Sequence, residues 1–252
     1  MPLNVYVGWS AITARAYDVC VASLRAMASR EIKIIPIFEP ALRRDRIYRR
    51  SYYVDADGQR WDELDRKPFS TDFSFSRFLV PHIEAFGDSL AVFCDGDFLW
   101  LDDIFSMINE CEDNYAVWCV KHNHLPTAET KMGGLKQTHY YRKNWSSLMV
   151  FRPSLCRELD VMSVNTKPGR WLHGFEWADD TNIAGLDPRW NWLWHPCPEP
   201  DRLGAVHFTE GTPDMVDLDD QFRYVRLWNA INEELTHDCK IEAVRNWIVG
   251  DK

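Results

Sequence analysis

Two aspartates separated by one glycine directly follow a short apolar run in the segment Leu-Ala-Val-Phe-Cys-Asp-Gly-Asp, residues 90–97. The apolar half predicts a buried strand. Alternate residues of an extended segment point to the same side, so Asp95 and Asp97 should face one point in space. Two carboxylates held together are costly unless a cation lies between them, and a hard divalent cation with oxygen ligands is the usual partner. Gly96 has no side chain, and we expect a ligand to approach its backbone closely. The segment therefore predicts a metal site at the carboxyl end of a buried strand.

A strand–helix–strand unit at the start of the chain supplies a scaffold for such a site. Strands are predicted over residues 4–8 and 32–38, and the helix between them is expected to be capped by Ser10 or Thr13. In a parallel sheet the loop after the first strand lies at the carboxyl edge, where nucleotides tend to bind. The loop lacks the glycine-rich fingerprint of dinucleotide-binding proteins. We therefore expect an α/β fold with a nucleotide site of another kind.

Further elements follow from the same periodicity. The predicted helices cover residues 70–86, 103–111, 224–235 and 241–248, and the predicted strands cover residues 116–120, 144–151 and 206–209. Arg77 lies within the first of these helices, from which its charge could reach a phosphate. Asp102 and Asp103 are expected to cap the second helix and form its first turn.

Three polar stretches interrupt this pattern. The arginine-rich residues 43–50 are interpreted as a solvated helix face or loop in preference to a phosphate clamp, and residues 53–66 as a turn-rich excursion. Residues 121–143 contain His122, His124 and His139, but their spacing lacks the partner ligands of a zinc site. Loops of this length are uncommon unless they are functional, so we interpret this one as contacting substrate.

The composition narrows the function classes. The formal charge of −9 over 252 residues argues against general binding to nucleic acid or anionic membranes, and a polyphosphate substrate would need a bridging metal. No segment approaches the length of a membrane span, and the first residues do not resemble a signal peptide. Seven scattered cysteines indicate reduced thiols, which predicts a cytoplasmic location. The 12 tryptophans can fill a core and can also line a site for sugars.

Seven motifs occur in an order that resembles one known family. They are Val-Gly-Trp-Ser (7–10), Ser-Arg-Phe-Leu-Val-Pro (76–81), Cys-Asp-Gly-Asp (94–97), Asn-Trp-Ser-Ser-Leu-Met-Val-Phe (144–151), Trp-Ala-Asp-Asp (177–180), Arg-Trp-Asn-Trp-Leu (189–193) and His-Phe-Thr-Glu-Gly (207–211). With them the chain resembles the GT-A-fold nucleotide-sugar glycosyltransferases of family 8, which include glycogenin and bacterial lipooligosaccharide galactosyltransferases.

The resemblance covers roughly residues 4–213 and implies one α/β domain over residues 1–252. In that domain a Rossmann-like nucleotide-binding half (1–110) would contain a central mixed, mostly parallel sheet flanked by helices. An acceptor and sugar half (111–213) and C-terminal helices (214–252) would follow.

The resemblance also implies roles for individual residues. Asp95, Asp97 and His207 would hold Mn²⁺, with Mg²⁺ as the alternative, against the diphosphate of a UDP-sugar. Asp179 and Asp180 match the acidic or amide pair near the anomeric carbon. The implied reaction moves a hexose-type sugar to a hydroxyl of a glycan or small-molecule acceptor, with retention of anomeric configuration. Contacts to the donor nucleotide and sugar would come from Gly8, Trp9, Ser10, Arg15, Arg77, Asn144, Ser146 and Gly211.

The chain departs from the family pattern in two places. The family's late His is usually followed by Gly-x-Lys-Pro-Trp, whose Lys contacts phosphate, whereas Gly211 is followed here by Thr-Pro-Asp. Either Arg77, Lys143 or Arg15 replaces that contact, or the activity is altered. The acidic residue usual after the first strand is also missing, and Trp9 in its vicinity could stack on several bases.

Two other functions stay open. Asp-x-Asp after a strand also serves metal-dependent phosphoryl transfer and phosphatases, although enzymes with an aspartyl nucleophile usually place the pair on their first strand, followed by Thr or Val. Here Phe98 follows the pair, which lies on a later strand. A non-catalytic sugar- or nucleotide-binding protein on the same fold would also accommodate the missing lysine.

Overall fold

A computed structural model describes the protein over residues 1–111, 114–123, 130–131, 135–136, 142–194, 197–235 and 241–250. Two of the three histidines named in the long polar stretch, His124 and His139, lie outside these residues.

Short strands and helices are interspersed along the chain. The strands are β1 Leu3–Gly8, β2 Ile32–Ile37, β3 Tyr52–Val54, β4 Arg60–Asp62, β5 Pro68–Phe69, β6 Ala91–Cys94, β7 Phe98–Trp100, β8 Val117–Cys119, β9 Thr130–Lys131, β10 Leu135–Lys136, β11 Leu148–Phe151, β12 Ile183–Gly185, β13 Trp192–Leu193 and β14 Ala205–His207. The α-helices are α1 Ala14–Met27, α2 Glu39–Arg44, α3 Val80–Ile83, α4 Ile104–Ile108, α5 Val161–Thr166, α6 Gly169–His173, α7 Arg223–Leu235 and α8 Ile241–Gly250.

The central sheet has the strand order β12-β8-β11-β6-β1-β2 among the described residues. β11 runs antiparallel to both neighbours, and the other pairs are parallel. This confirms the predicted mixed, mostly parallel α/β sheet. Every residue of β6 is buried, because the strand lies inside the sheet with apolar layers on both faces. The Asp95-Gly96-Asp97 turn therefore leaves the sheet at the carboxyl end of an internal strand.

A second sheet brings a distant segment to that turn. β7 continues the chain directly after Asp97 and pairs antiparallel with β14, with His207 opposite Phe98. β13 pairs with the other edge of β14. The backbone N–H of Phe208 also donates to the Asp97 carbonyl at 3.1 Å. Strand pairing thus places residue 207 beside residue 97.

The predicted turn-rich excursion forms a third sheet, in which β4 pairs antiparallel with β3 and with β5. A buried ion pair holds it to the core: Arg50 donates through Nε and Nη2 to the two carboxylate oxygens of Asp62, at 2.6 and 2.8 Å. The interpretation of residues 43–50 as a solvated stretch was therefore wrong for Arg50, which is 3% exposed. A charge this deeply buried needs such a partner.

Several predicted helix boundaries and caps were wrong. The expected helix over 70–86 begins as turns and forms only a 3₁₀ segment, Ser76–Leu79, and the short α3. Neither Ser10 nor Thr13 caps α1 through its side chain. Asp103 caps α4 by accepting the N–H of Phe105, whereas Asp102 binds Arg189 and Arg202.

The C-terminal helices α7 and α8 pack against α1, with a cluster of apolar side chains from all three between them. Among the described residues, no helix combines the length and the apolar character needed to span a bilayer. The described cysteines, six in number, form no disulfide. Burial raises the pKa of Cys119 and Cys156 to about 12, so both stay protonated thiols at neutral pH.

Candidate metal centre and substrate cavity

Asp95, Asp97 and His207 form a group in which one ligand atom from each residue lies within 4.8 Å of the other two. The His207 Nε2 atom lies 3.3 Å from Asp97 Oδ1. Both side chains are almost fully buried, and the imidazole stacks on Phe98 with ring centroids 4.5 Å apart. The structure therefore brings together the three residues predicted as metal ligands, although Asp97 and His207 are 110 positions apart in the chain.

A hydrogen-bond chain determines which nitrogen of His207 faces the carboxylates. The Ser147 hydroxyl donates to the Asn144 carbonyl at 2.7 Å, so its oxygen accepts the Asn191 amide N–H at 2.9 Å. The Asn191 Oδ1 atom then faces His207 Nδ1 at 2.9 Å. An amide oxygen only accepts, so Nδ1 carries a proton, and in the neutral imidazole Nε2 is then the nitrogen whose lone pair faces Asp97.

This donor set fits a divalent cation. The lone pair of His207 Nε2 and the carboxylate oxygen of Asp97 would repel each other at 3.3 Å without a positive charge between them. Two ligands about 2.1 Å from one metal ion and at right angles to each other are about 3 Å apart, close to the separation found here. Carboxylate oxygens with one imidazole suit Mn²⁺, and the oxygens alone also suit Mg²⁺.

Arg77 neutralises the third member of this group. Its guanidinium lies 2.6 Å from Asp95 Oδ1 and donates to the Ser146 carbonyl at 2.8 Å. The arginine is 5% exposed and lies in the Ser76–Leu79 turn, where it also donates to the Phe73 carbonyl. It therefore connects the segment before β11 to the Asp95-Gly96-Asp97 turn and also supplies a positive charge there.

The group opens into a cavity of about 880 Å³. Of the residues predicted to form the site, those among its lining are Arg77, Asp95, Asp97, Asn144, Ser146 and Asp180. Lys143, proposed as one replacement for the missing lysine, also lines the cavity and is 8% exposed. Other parts of the lining come from β5 and from α6 with the preceding Pro168.

The loop predicted to receive the nucleobase lies outside this lining. A Cβ on Gly8 would meet the Phe73 ring at 2.5 Å, so the missing side chain makes room for a phenylalanine. Ser10 is fully buried and donates to Asp72 at 2.6 Å, so its hydroxyl is not available to a nucleotide. The half-buried Trp9 packs edge-on against Phe38 with ring centroids 4.9 Å apart.

Other predicted residues are also outside the cavity lining. Arg15 is exposed on the first turn of α1, and Asp179 is exposed beside the cavity rim. Asp180 reaches the rim and pairs with Arg142. Gly211 is buried at a φ of +133°, which a glycine adopts without strain.

The expectation that Gly96 admits a ligand was wrong. A Cβ at this position would lie 2.5 Å from the Gly8 carbonyl oxygen and 3.5 Å from the Tyr17 side chain. The glycine is therefore required because the Asp95-Gly96-Asp97 turn packs directly against the end of β1.

Two residues of the site were missed as functional candidates. His173, at the end of α6, lines the cavity and hydrogen-bonds through Nδ1 to the Ser146 hydroxyl at 2.9 Å. Asn191 was part of a recognised motif, but only its contact with His207 reveals its role. No spacing rule could have found either one, because each acts on a residue that is distant in the chain.

The sequence matches no protein-family model. It is 34% identical to Protein CDI from Arabidopsis thaliana, and the alignment covers 96% of this chain and 90% of the plant protein.

Solved structures resemble the chain more distantly. The apo form of the glycosyltransferase GlyE from Streptococcus pneumoniae TIGR4 has a TM-score of 0.57 at 10% identity; the match covers 99% of this chain but only 64% of GlyE. The galactosyltransferase LgtC, solved with donor and acceptor sugar analogues, has a TM-score of 0.55 at 9% identity and is matched over 96% of this chain and 100% of its own. The shared feature is the GT-A glycosyltransferase fold, as the motifs had predicted.

Proposed function

This chain belongs to the family of Protein CDI from Arabidopsis thaliana and has the GT-A glycosyltransferase fold, and we propose that it is a metal-dependent glycosyltransferase. The proposed reaction moves a sugar from a nucleoside-diphosphate sugar to a hydroxyl acceptor. One observation carries the proposal: the Asp95, Asp97 and His207 group opens into a large cavity whose lining also includes the cations Arg77 and Lys143.

The charged side chains that line the cavity suit a diphosphate. Asp95, Asp97 and His207 would hold Mn²⁺ or Mg²⁺, and the bound cation would neutralise the charge that develops on the departing nucleoside diphosphate. Arg77 adds a positive charge beside Asp95, and Lys143 adds another to the lining of the same cavity; burial strengthens the effect of both charges. We propose Lys143 as the phosphate contact in place of the family's missing lysine.

The neighbouring wall suits the transferred sugar. The Ser146 hydroxyl and His173 form a buried hydrogen-bonded pair that faces the cavity, and such groups recognise sugar hydroxyls. Of the two predicted acids, Asp180 has the better position because its carboxylate reaches the rim, and we propose that it acts near the anomeric carbon. The resemblance to family 8 supports a hexose, a UDP-linked donor and retention of configuration. Trp9, with Phe38 against it, is the proposed base platform.

The decisive experiment is calorimetric titration of the protein with UDP in the presence of Mn²⁺, Mg²⁺ or EDTA, followed by assays of UDP-sugar hydrolysis without acceptor. We expect cation-dependent UDP binding and slow release of UDP from at least one UDP-hexose. Asp97→Asn removes one metal-ligand charge and should abolish both, whereas Asp88→Asn, an exposed aspartate ahead of β6, should change neither.

Each competing function has a different signature in the same assays. A phosphatase would release inorganic phosphate from the nucleotide instead of free UDP and sugar. A non-catalytic protein would bind the donor in the presence of the cation without turnover for any acceptor. Metal-independent UDP binding that Asp97→Asn leaves unchanged would refute the metal assignment itself.

A further inference from the structure

We propose that an exposed basic patch beside the cavity docks the protein on the surface of an anionic phospholipid bilayer. The basic patch consists of exposed cations from three segments of the chain: Arg46, Arg49, Arg66, Lys67, Lys167 and Arg170. It includes the exposed part of the arginine-rich stretch 43–50, for which the proposed reaction has no use. The inference goes beyond the proposed glycosyltransferase function, because it concerns the surface that holds the protein and not the reaction.

Hydrogen bonds between segments far apart in the chain bring these cations together. The backbone N–H of Arg49 donates to the Asn165 side-chain oxygen at 2.5 Å. The buried Arg50 guanidinium donates to the Lys167 carbonyl at 2.6 Å. These bonds join the arginine-rich stretch to α5 and to the residue that follows it. The exposed side chains of Arg46, Arg49 and Lys167 are therefore close to one another on the surface.

The turn between β4 and β5 belongs to the same region. The Asp65 carboxylate accepts the backbone N–H of Gly169, the first residue of α6, at 2.8 Å. Lys67 and Arg170 lie within two residues of this contact in the chain, and both line the cavity that contains the candidate metal ligands. The basic patch therefore reaches the edge of the substrate cavity.

The protein does not neutralise the charges of the basic patch. Among the described residues, none of its cations forms an ion pair with a carboxylate. The adjacent Arg44 pairs with Asp45, and the buried Arg50 pairs with Asp62. Glu63 is exposed in the same turn as Arg66, and it offsets only part of the positive charge. The basic patch therefore presents a net positive surface to a partner.

Apolar side chains among the cations favour a bilayer over a soluble polyanion. Leu64, in the turn that carries Arg66, is 50% exposed, and Met162 on α5 is 71% exposed. The Lys167 ammonium lies 5.4 Å from the ring centroid of the half-buried Trp171. At a bilayer surface, apolar side chains insert at the boundary between headgroups and acyl chains while cations contact the lipid phosphates. A soluble polyanion would engage the charges alone.

The formal charge of −9 does not oppose binding through the basic patch. At physiological ionic strength the Debye length is about 8 Å, so a bilayer interacts chiefly with the charges of the face that contacts it. Each Lys or Arg close to an anionic leaflet increases the affinity about fivefold. The acidic remainder of the surface disfavours other orientations, so the cavity edge should face the bilayer.

The test measures sedimentation of the full chain with unilamellar vesicles of phosphatidylcholine, either alone or with about one-third phosphatidylglycerol. At about 0.1 M salt we expect binding to the anionic vesicles to be at least about tenfold tighter than binding to the neutral ones. This preference should disappear at about 1 M salt, where the Debye length falls to about 3 Å. Heparin, a soluble polyanion, is titrated in parallel.

Two triple variants that remove the same number of charges separate the patch from the net charge. Arg46→Gln/Arg49→Gln/Lys167→Gln should weaken binding to anionic vesicles by about 100-fold. The matched control is Arg25→Gln/Lys33→Gln/Arg245→Gln, which changes exposed cations on α1, β2 and α8, and it should stay within about threefold of the parent. All six residues lie outside the cavity lining, so UDP binding with Mn²⁺ should be the same in both variants and the parent.

The inference is overturned if the anionic vesicles do not bind the parent, if the patch variant binds them as tightly as the parent, or if the control loses as much affinity as the patch variant. Heparin binding without vesicle binding would assign the patch to a soluble polyanion and also overturn it. Cooperative thermal unfolding of each variant shows that the fold is intact. Vesicle binding by a parent protein that does not bind UDP would refute the proposed function and leave the docking surface standing.

Discussion

The His207 Nδ1 atom lies 2.9 Å from the Asn191 Oδ1 atom, and this hydrogen bond sets the imidazole tautomer that faces Asp97. Asn191 is fully buried in the Pro188–Asn191 turn, immediately before β13. Because β13 pairs with β14, the asparagine and the histidine are held by adjacent strands. The amide thus belongs to the support of the metal centre.

Asn191→Ala should lower Mn²⁺-dependent UDP affinity by about 10- to 100-fold, the usual effect of removing a hydrogen-bond partner of a metal-binding histidine. The physical reason is that Nδ1 loses its acceptor, so the ring can rotate and present the protonated nitrogen to the metal. Calorimetry measures the change. Asn109→Ala, at an exposed helix end, is the matched control. Unchanged affinity in Asn191→Ala would contradict the tautomer assignment.

Lys143→Met should weaken UDP binding in the presence of Mn²⁺ by about tenfold or more, because a hydrogen bond to a charged group is worth about 1.5–3 kcal/mol. Methionine keeps most of the buried side-chain volume, so the variant tests the charge. Arg15→Met should have an effect of less than about twofold, since Arg15 is exposed on α1 outside the cavity lining. A larger effect at Arg15 than at Lys143 would reverse the phosphate assignment.

Gly96→Ala should destabilise the protein by about 1–3 kcal/mol and weaken metal binding, since the new methyl group would overlap the Gly8 carbonyl oxygen. Urea unfolding measures the first effect and Mn²⁺ titration the second. Gly185→Ala is the matched control, because a Cβ at that position would lie 4.0 Å from the Lys121 side chain, an ordinary van der Waals distance. Equal stability of the two variants would show that the turn can move away from β1.

Asp102→Asn should lower the free energy of unfolding at pH 7 by about 2 kcal/mol, the size of a lost charged hydrogen bond. Burial alone would raise the pKa of Asp102, but hydrogen bonds from the Asp103 N–H and Arg189, with the charge of Arg202, lower it overall. A carboxyl whose folded-state pKa is lowered stabilises the fold above its unfolded pKa, and this contribution disappears as pH falls through the folded value.

The difference between the parent protein and Asp102→Asn should therefore shrink below about pH 4, the ordinary pKa of an aspartate. Urea titrations at a series of pH values measure it. Asp88→Asn provides a baseline for an exposed aspartate. A difference that stays constant down to the acid transition would mean that the charge of Asp102 does not contribute to stability.

The central sheet could be predicted because its strands are coded locally. β1, β2 and β6 each appear as a short run of strand-forming apolar residues, and periodicity identifies α1, α7 and α8. The small sheet β3–β5 could not, since its strands have two or three residues and depend on the buried Arg50–Asp62 pair. Ser10 failed as a helix cap because Asp72, distant in the chain, offers its hydroxyl a better partner.

The sequence by itself predicted the fold class and the three candidate metal ligands, because the apolar strand ending in Asp95-Gly96-Asp97 and the order of the motifs, through which the family resemblance added His207, are properties of residue type and spacing. Only the tertiary structure decided what completes the site. The pairing of β14 with β7 brings His207 to Asp97, and the burial of Asn191 orients it. The packing of Gly96 against the Gly8 carbonyl explains why position 96 is a glycine, where the sequence had predicted close approach of a ligand. Such contacts join segments far apart in the chain, and their energies depend on burial and exact separation, which no local pattern encodes.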